Sequence, residues 1–122
     1  MNEILNLLIP VLMLVESGND PNAVGDDGQA VGILQIHPCV IEDVNRIHKK
    51  NYTLADRFNV EKSEEICRLY LEHYCRYFRK PTAETLACIW NGGPMGPKKE
   101  ATKLYWYKVR LAIIKMRDLK VP

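Results

Sequence analysis

Glu16 follows the apolar run Leu12-Met13-Leu14-Val15 and precedes the turn-forming residues Gly18, Asn19, Asp20 and Pro21. A carboxyl group there sits beside apolar side chains and at the negative end of a helix. Both influences disfavour its anion and raise its pKa. A carboxylic acid that keeps its proton near neutral pH suits cleavage of an acetal, because the leaving oxygen departs poorly until it is protonated. The bland alternative for any lone Glu is a solvated side chain at a helix end. The paired acids in Gly25-Asp26-Asp27-Gly28 read by themselves as turn residues, since Asp beside Gly is favoured there through its own backbone hydrogen bonds.

The elements that must hold these residues are mostly helical. The stretch Ile4 to Val15 reads as a buried first helix, kinked at Pro10 or started there, since proline is tolerated in a first turn and disruptive further in. From Asn22 to Ile36, three glycines, the paired acids and the apolar run Val31 to Ile36 predict a short β-hairpin or irregular loop. Helical spacing returns with Val40, Val44 and Ile47. Ser63 is then a candidate cap for a longer helix with Ile66, Leu69, Tyr70, His73, Tyr74 and Tyr77 on one face. Thr82 is a candidate cap for a short helix carrying Leu86, Ala87, Ile89 and Trp90, which Asn91-Gly92-Gly93-Pro94 breaks. A last helix places Tyr105, Val109, Ala112, Ile113 and Met116 at core spacing. The expected fold class is α+β, mostly α, with several helices around a small hairpin or irregular element. The whole chain, residues 1–122, is read as one domain.

Composition agrees with a globular chain: 122 residues, 47% hydrophobic and 26% charged, enough for one core. The first apolar stretch is too short to span a bilayer and lacks the basic start and small-residue cleavage site of an export signal. The net charge is only +2, which argues against a nucleic-acid partner. Its distribution is uneven, with eight Lys/Arg against two acids in residues 98–122 and nine against thirteen before them. That segment suits either an anionic polymer such as a cell wall or a plain solvated helix face. The cysteines Cys39, Cys67, Cys75 and Cys88 allow three pairings. Cys67 and Cys75 on one helix would stand about 12 Å apart along its axis, too far for a disulfide. With no export signal read in the sequence, four reduced thiols are expected. The Cys and His spacings do not form a zinc site, so no metal is expected.

Glu16-Ser17-Gly18, Asn22-Ala23-Val24, Gly32-Ile33-Leu34-Gln35-Ile36 and Trp90-Asn91-Gly92-Gly93-Pro94 occur in that order. Together they resemble the soluble lytic transglycosylase (SLT) family and its goose-type lysozyme relatives, which carry E-S-G-like, G-L-M-Q-like and A-Y-N-x-G-P-like segments. Asp56-Arg57-Phe58-Asn59 is similar to the family's D-P-x-x-N region, and Thr102, Tyr105 and Val109 to its T-x-x-Y-V-x-x-V element. The resemblance implies a lysozyme-like fold, peptidoglycan glycan strands as partner and no cofactor. It implies Glu16 as general acid and then base, with Ser17 and Gln35 bonding the sugar or its N-acetyl group and Asn91 and Tyr105 lining the cleft. Gly32 would let the backbone pass close to substrate, and Gly92 and Gly93 would supply a turn with angles other residues resist. Trp90 replaces the usual tyrosine; it can stack on a sugar face but lacks the hydroxyl.

The expected activity is cleavage of the β-1,4 bond between N-acetylmuramic acid and N-acetylglucosamine, giving 1,6-anhydro products. The stretch Gly25 to Gln35 also looks like the goose-type pattern G-D-x-G-x-x-x-G-x-x-Q, which makes a hydrolytic lysozyme using Glu16 with Asp26 the alternative. His37 stands where those enzymes often have another aspartate. A reading of another class is a non-catalytic glycan-binding or virion structural module, which would be expected to lose the acid. The chain is expected to act as a monomer on the wall after release from, or delivery out of, the cytoplasm, as a phage-type lysin or part of a secretion apparatus.

Overall fold

In the computed structural model, residues 1–119 are described, the side chain of Leu119 excepted. Helix α1 spans Asn2–Ser17. Leu5, Leu8, Ile9 and Leu12 recur at i, i+3, i+4 and i+7 and are at most 2% exposed, so one stripe of α1 faces the core. The helix neither starts nor ends at Pro10, which lies inside it on the exposed side. Burial of residues on both sides of Pro10 outweighs the backbone hydrogen bond that a proline removes. Gly18 ends α1 in the left-handed region (φ 65°). Its N–H donates to Leu14 O (2.9 Å) and that of Asn19 to Met13 O (3.2 Å), which closes the last turn around Glu16.

The glycine-rich stretch forms a small hairpin. Strands β1 (Val24–Gly25) and β2 (Ala30–Val31) pair antiparallel, with Val24 opposite Val31 and Gly25 opposite Ala30. The turn between them carries Asp26 and Asp27 at positive φ (49° and 54°). A bridge between Val31 and Ile36 closes a second loop, and the fully buried Leu34 and Ile36 root it in the core.

Four further helices follow: α2 (Pro38–His48), α3 (Val60–Tyr74), α4 (Ala83–Gly92) and α5 (Thr102–Leu119). Thr82 caps α4 as expected, in a reciprocal pair with Thr85. The expected cap of α3 is displaced by one turn. Asn59 accepts from Lys62 N there, while Ser63 is buried inside the helix and donates to Arg57 O (2.9 Å). Tyr77 falls beyond α3 in a 3-10 turn, Cys75–Tyr77, and is 69% exposed rather than on the packed face.

Helices α1, α3, α4 and α5 pack on one another around Leu5, Leu12, Ile66, Leu71, Leu86, Ile89 and Val109. Each fully buried aliphatic side chain contributes roughly 1.5–3 kcal/mol. The hairpin, with little apolar surface of its own, is tied down by Arg57. Its buried guanidinium donates to the carbonyls of Gln29 (3.0 Å), Ile36 (2.9 Å) and Leu54 (2.9 Å), an arrangement that satisfies a charge which burial alone would penalise. All four cysteines are free. No helix among the described residues is long and apolar enough to cross a membrane.

Candidate active site

The last turn of α1, the hairpin, the start of α2 and the end of α4 enclose a cleft of about 260 Å³. Glu16, Asp26, Gln35, His37, Trp90 and Asn91 are among its walls. Tyr105 of α5 reaches Glu16 from the core side and donates its hydroxyl to Glu16 Oε2 at 2.6 Å. Burial raises the Glu16 pKa from its ordinary 4.5 to about 7; the Tyr105 hydrogen bond opposes that rise, and the negative charge of Asp26 adds to it. Near neutral pH such a group can either give or take a proton. A larger apolar groove of about 580 Å³ lies between α1, the start of α4 and α5, and no acid lines it.

Gln35 holds an unusual backbone position, φ 52°. Its amide nitrogen donates to Gly32 O (2.9 Å) and Ala23 O (3.2 Å). Both partners are carbonyls, so the nitrogen is fixed on that side and Oε1 is left as an acceptor at the cleft. Strain of this kind at a cleft residue persists only where the surrounding structure over-determines it. Trp90 packs edge-on against Tyr70, ring centroids 5.7 Å apart, which holds its indole beside Asn91.

Residues 1–111 match the family described as the transglycosylase SLT domain. The chain belongs to that family. Its five helices and small two-stranded sheet are consistent with the lysozyme-like SLT fold, and membership points to glycosidic bond cleavage in peptidoglycan. No curated protein matches the chain significantly.

Within this SLT domain, the residues expected from the sequence separate into two groups. Glu16, Asp26, Gln35, Trp90 and Asn91 share the cleft, and Tyr105 touches it through Glu16. Ser17 differs: its hydroxyl meets Ile33 O (2.8 Å) and Met13 O (3.2 Å) and accepts from Asp20 N (3.0 Å). One hydroxyl proton and two lone pairs leave little for a sugar, so Ser17 ties the end of α1 to the hairpin and does not line the cleft. At Gly32, Arg57 O lies 1.8 Å from where a Cβ would stand, so the backbone of the Leu54–Phe58 turn makes the close approach seen there. Gly93 does take a left-handed angle (φ 83°), but Gly92 does not; a side chain there would strike Thr102 Cγ2 at 2.5 Å.

His37 is the cleft residue that sequence reasoning did not select. Its Nε2 lies 3.0 Å from Asp26 Oδ2, and because a carboxylate only accepts, Nε2 carries the proton. With the two side chains 43% and 70% exposed, this pair adds at most about 1 kcal/mol of stability; it orients Asp26 rather than stabilising the fold. Among the described residues, no cluster of three His, Cys, Asp or Glu could hold a metal ion.

Opposite shifts of the Glu16 titration are expected from its two polar neighbours. Tyr105→Phe removes a lowering influence and moves the midpoint above about 7, whereas Asp26→Asn removes a raising one and moves it below about 7. Carbon NMR of side-chain carboxyl groups across a pH series reads both; shifts of the same sign in the two variants would contradict the role of one of the two neighbours.

Proposed function

We propose that this SLT domain is a lytic transglycosylase that cuts the β-1,4 bond between N-acetylmuramic acid and N-acetylglucosamine, with Glu16 as acid and then base. The observation that carries the reading is a carboxyl group in a cleft whose pKa is raised to about 7 mainly by burial. Protonated Glu16 gives its proton to the glycosidic oxygen as the bond from that oxygen to C1 of muramic acid breaks, and N-acetylglucosamine leaves with a free 4-hydroxyl. The Glu16 carboxylate then takes the proton of the muramic acid 6-hydroxyl as that oxygen closes onto C1. The product is the 1,6-anhydro sugar, and Glu16 is reprotonated for the next cycle.

In this scheme Tyr105 orients Glu16, and Gln35 Oε1 accepts from the N–H of an acetamido group. Trp90 offers a face for stacking on a sugar ring, and Asn91 supplies amide bonds at the rim. A hydrolytic reading keeps one specific support. Asp26 stands in the same cleft and its charge acts on Glu16, which supports it as the group that would activate a water in a lysozyme-type reaction. A non-catalytic glycan-binding module would gain nothing from burying an acid at this cost. Action on the wall as a monomer, after release from or delivery out of the cytoplasm, belongs to the same proposal.

Digestion of purified peptidoglycan in heavy-oxygen water tests the choice. Intramolecular closure leaves the new muramic acid end without heavy oxygen; hydrolysis incorporates one atom per cut, and that result would replace the transglycosylase by a lysozyme.

A further inference from the structure

The side of α5 turned away from the core carries a pattern that glycan cleavage does not use. Leu104, Tyr107 and Leu111 are 65%, 55% and 42% exposed. Their spacing of three and four residues aligns them in one strip along the helix. At about 100° per residue, Lys108 and Lys115 flank this strip on one side, with Lys103 and Arg110 on the other. The buried Val109 and Ala112 lie on the rest of the circumference. Lys103 pairs with Glu100 at 3.0 Å, while Lys108, Arg110 and Lys115 form no ion pair among the described residues.

We propose that this strip seats the protein on an anionic lipid surface, with Leu104, Tyr107 and Leu111 entering the interfacial layer and the flanking cations facing headgroup phosphates. Charge complementarity sets the sign of the partner, and the apolar strip sets its kind. A polyanion such as a nucleic acid or a wall polymer takes the cations but leaves two leucines and a tyrosine ring with nothing apolar to cover them. A lipid interface accommodates both at once, and tyrosine suits it because its ring is apolar and its hydroxyl stays wet. Tyr105, which reaches Glu16, is rotated about 100° from Leu104, so seating the strip leaves the cleft open to one side. The inference stands independently of the cleavage chemistry.

Co-sedimentation of the full chain with vesicles tests it, comparing mixed phosphatidylglycerol and phosphatidylcholine with phosphatidylcholine alone. Preferential binding to the anionic vesicles is expected. The double variants Lys108→Glu/Lys115→Glu and Leu104→Gln/Leu111→Gln should each lower the partition coefficient at least about tenfold, with helical circular dichroism unchanged. Binding that does not distinguish the two vesicle types, or no binding, overturns the proposal. So does loss in the lysine variant with full retention in the leucine variant, which would mark a site for a soluble polyanion.

Discussion

Glu16→Gln lowers the rate of peptidoglycan cleavage by about 10²–10⁴-fold, the range that a positioned general acid and base supplies. The amide keeps the shape of the side chain and can still accept from Tyr105, so the loss reports the missing proton and not a collapsed cleft. In the wild type, kcat/KM should fall as pH rises past about 7, because the deprotonated carboxylate can no longer give its proton. Stability carries the same signature. The folded-state pKa of about 7 lies above the ordinary 4.5, so the contribution of Glu16 is fully present below about 4.5 and is lost as pH rises through 7. That loss approaches about 3 kcal/mol at alkaline pH. Glu16→Gln does not pay it: urea denaturation should find the variant close to wild type in acid and the more stable of the two well above pH 7. A variant equally less stable at every pH would mean that Glu16 is held as an ordinary packed residue.

Gly32→Ala destabilises the protein by about 3 kcal/mol or more and removes cleavage with it. The added Cβ would stand 1.8 Å from Arg57 O, and the backbone there is at φ 87°, so both contact and conformation oppose it. Relief requires the hairpin to move away from the Leu54–Phe58 turn, and the Arg57 bonds to Gln29 O and Ile36 O go with it. Asp26 and Gln35 ride on that hairpin. Urea denaturation measures the stability loss, and a variant within about 1 kcal/mol of wild type would show that the hairpin is not fixed by this approach.

Helix positions were legible in the sequence wherever apolar spacing was strong and the stop signal was chemical. Gly18 after α1, Thr82 before α4 and Gly93 after it each act locally, so the residues alone specify them. The start of α1 was obscured because Pro10 reads as a boundary while tertiary burial of Leu5 and Leu8 overrides it. The cap of α3 was missed because Ser63 and Asn59 are both good caps by type, and only the position of Arg57 O decides that Ser63 is buried. Glu16 was found from its apolar run and the order of the motifs around it. The engagement of Ser17 with Ile33 O and the pairing of His37 with Asp26 join residues 16 and 11 positions apart, through loop geometry that no periodicity encodes. A histidine at a helix start gave one weak signal, its closeness to the paired acids once a hairpin turn had been assumed.

The most direct test is mass spectrometry of the soluble products released from purified peptidoglycan by wild type and by Glu16→Gln. Muropeptides ending in 1,6-anhydromuramic acid from the wild type, and almost none from the variant, are the predicted result. Equal yields from the two proteins, or no product from a wild type that still binds the glycan, would contradict it.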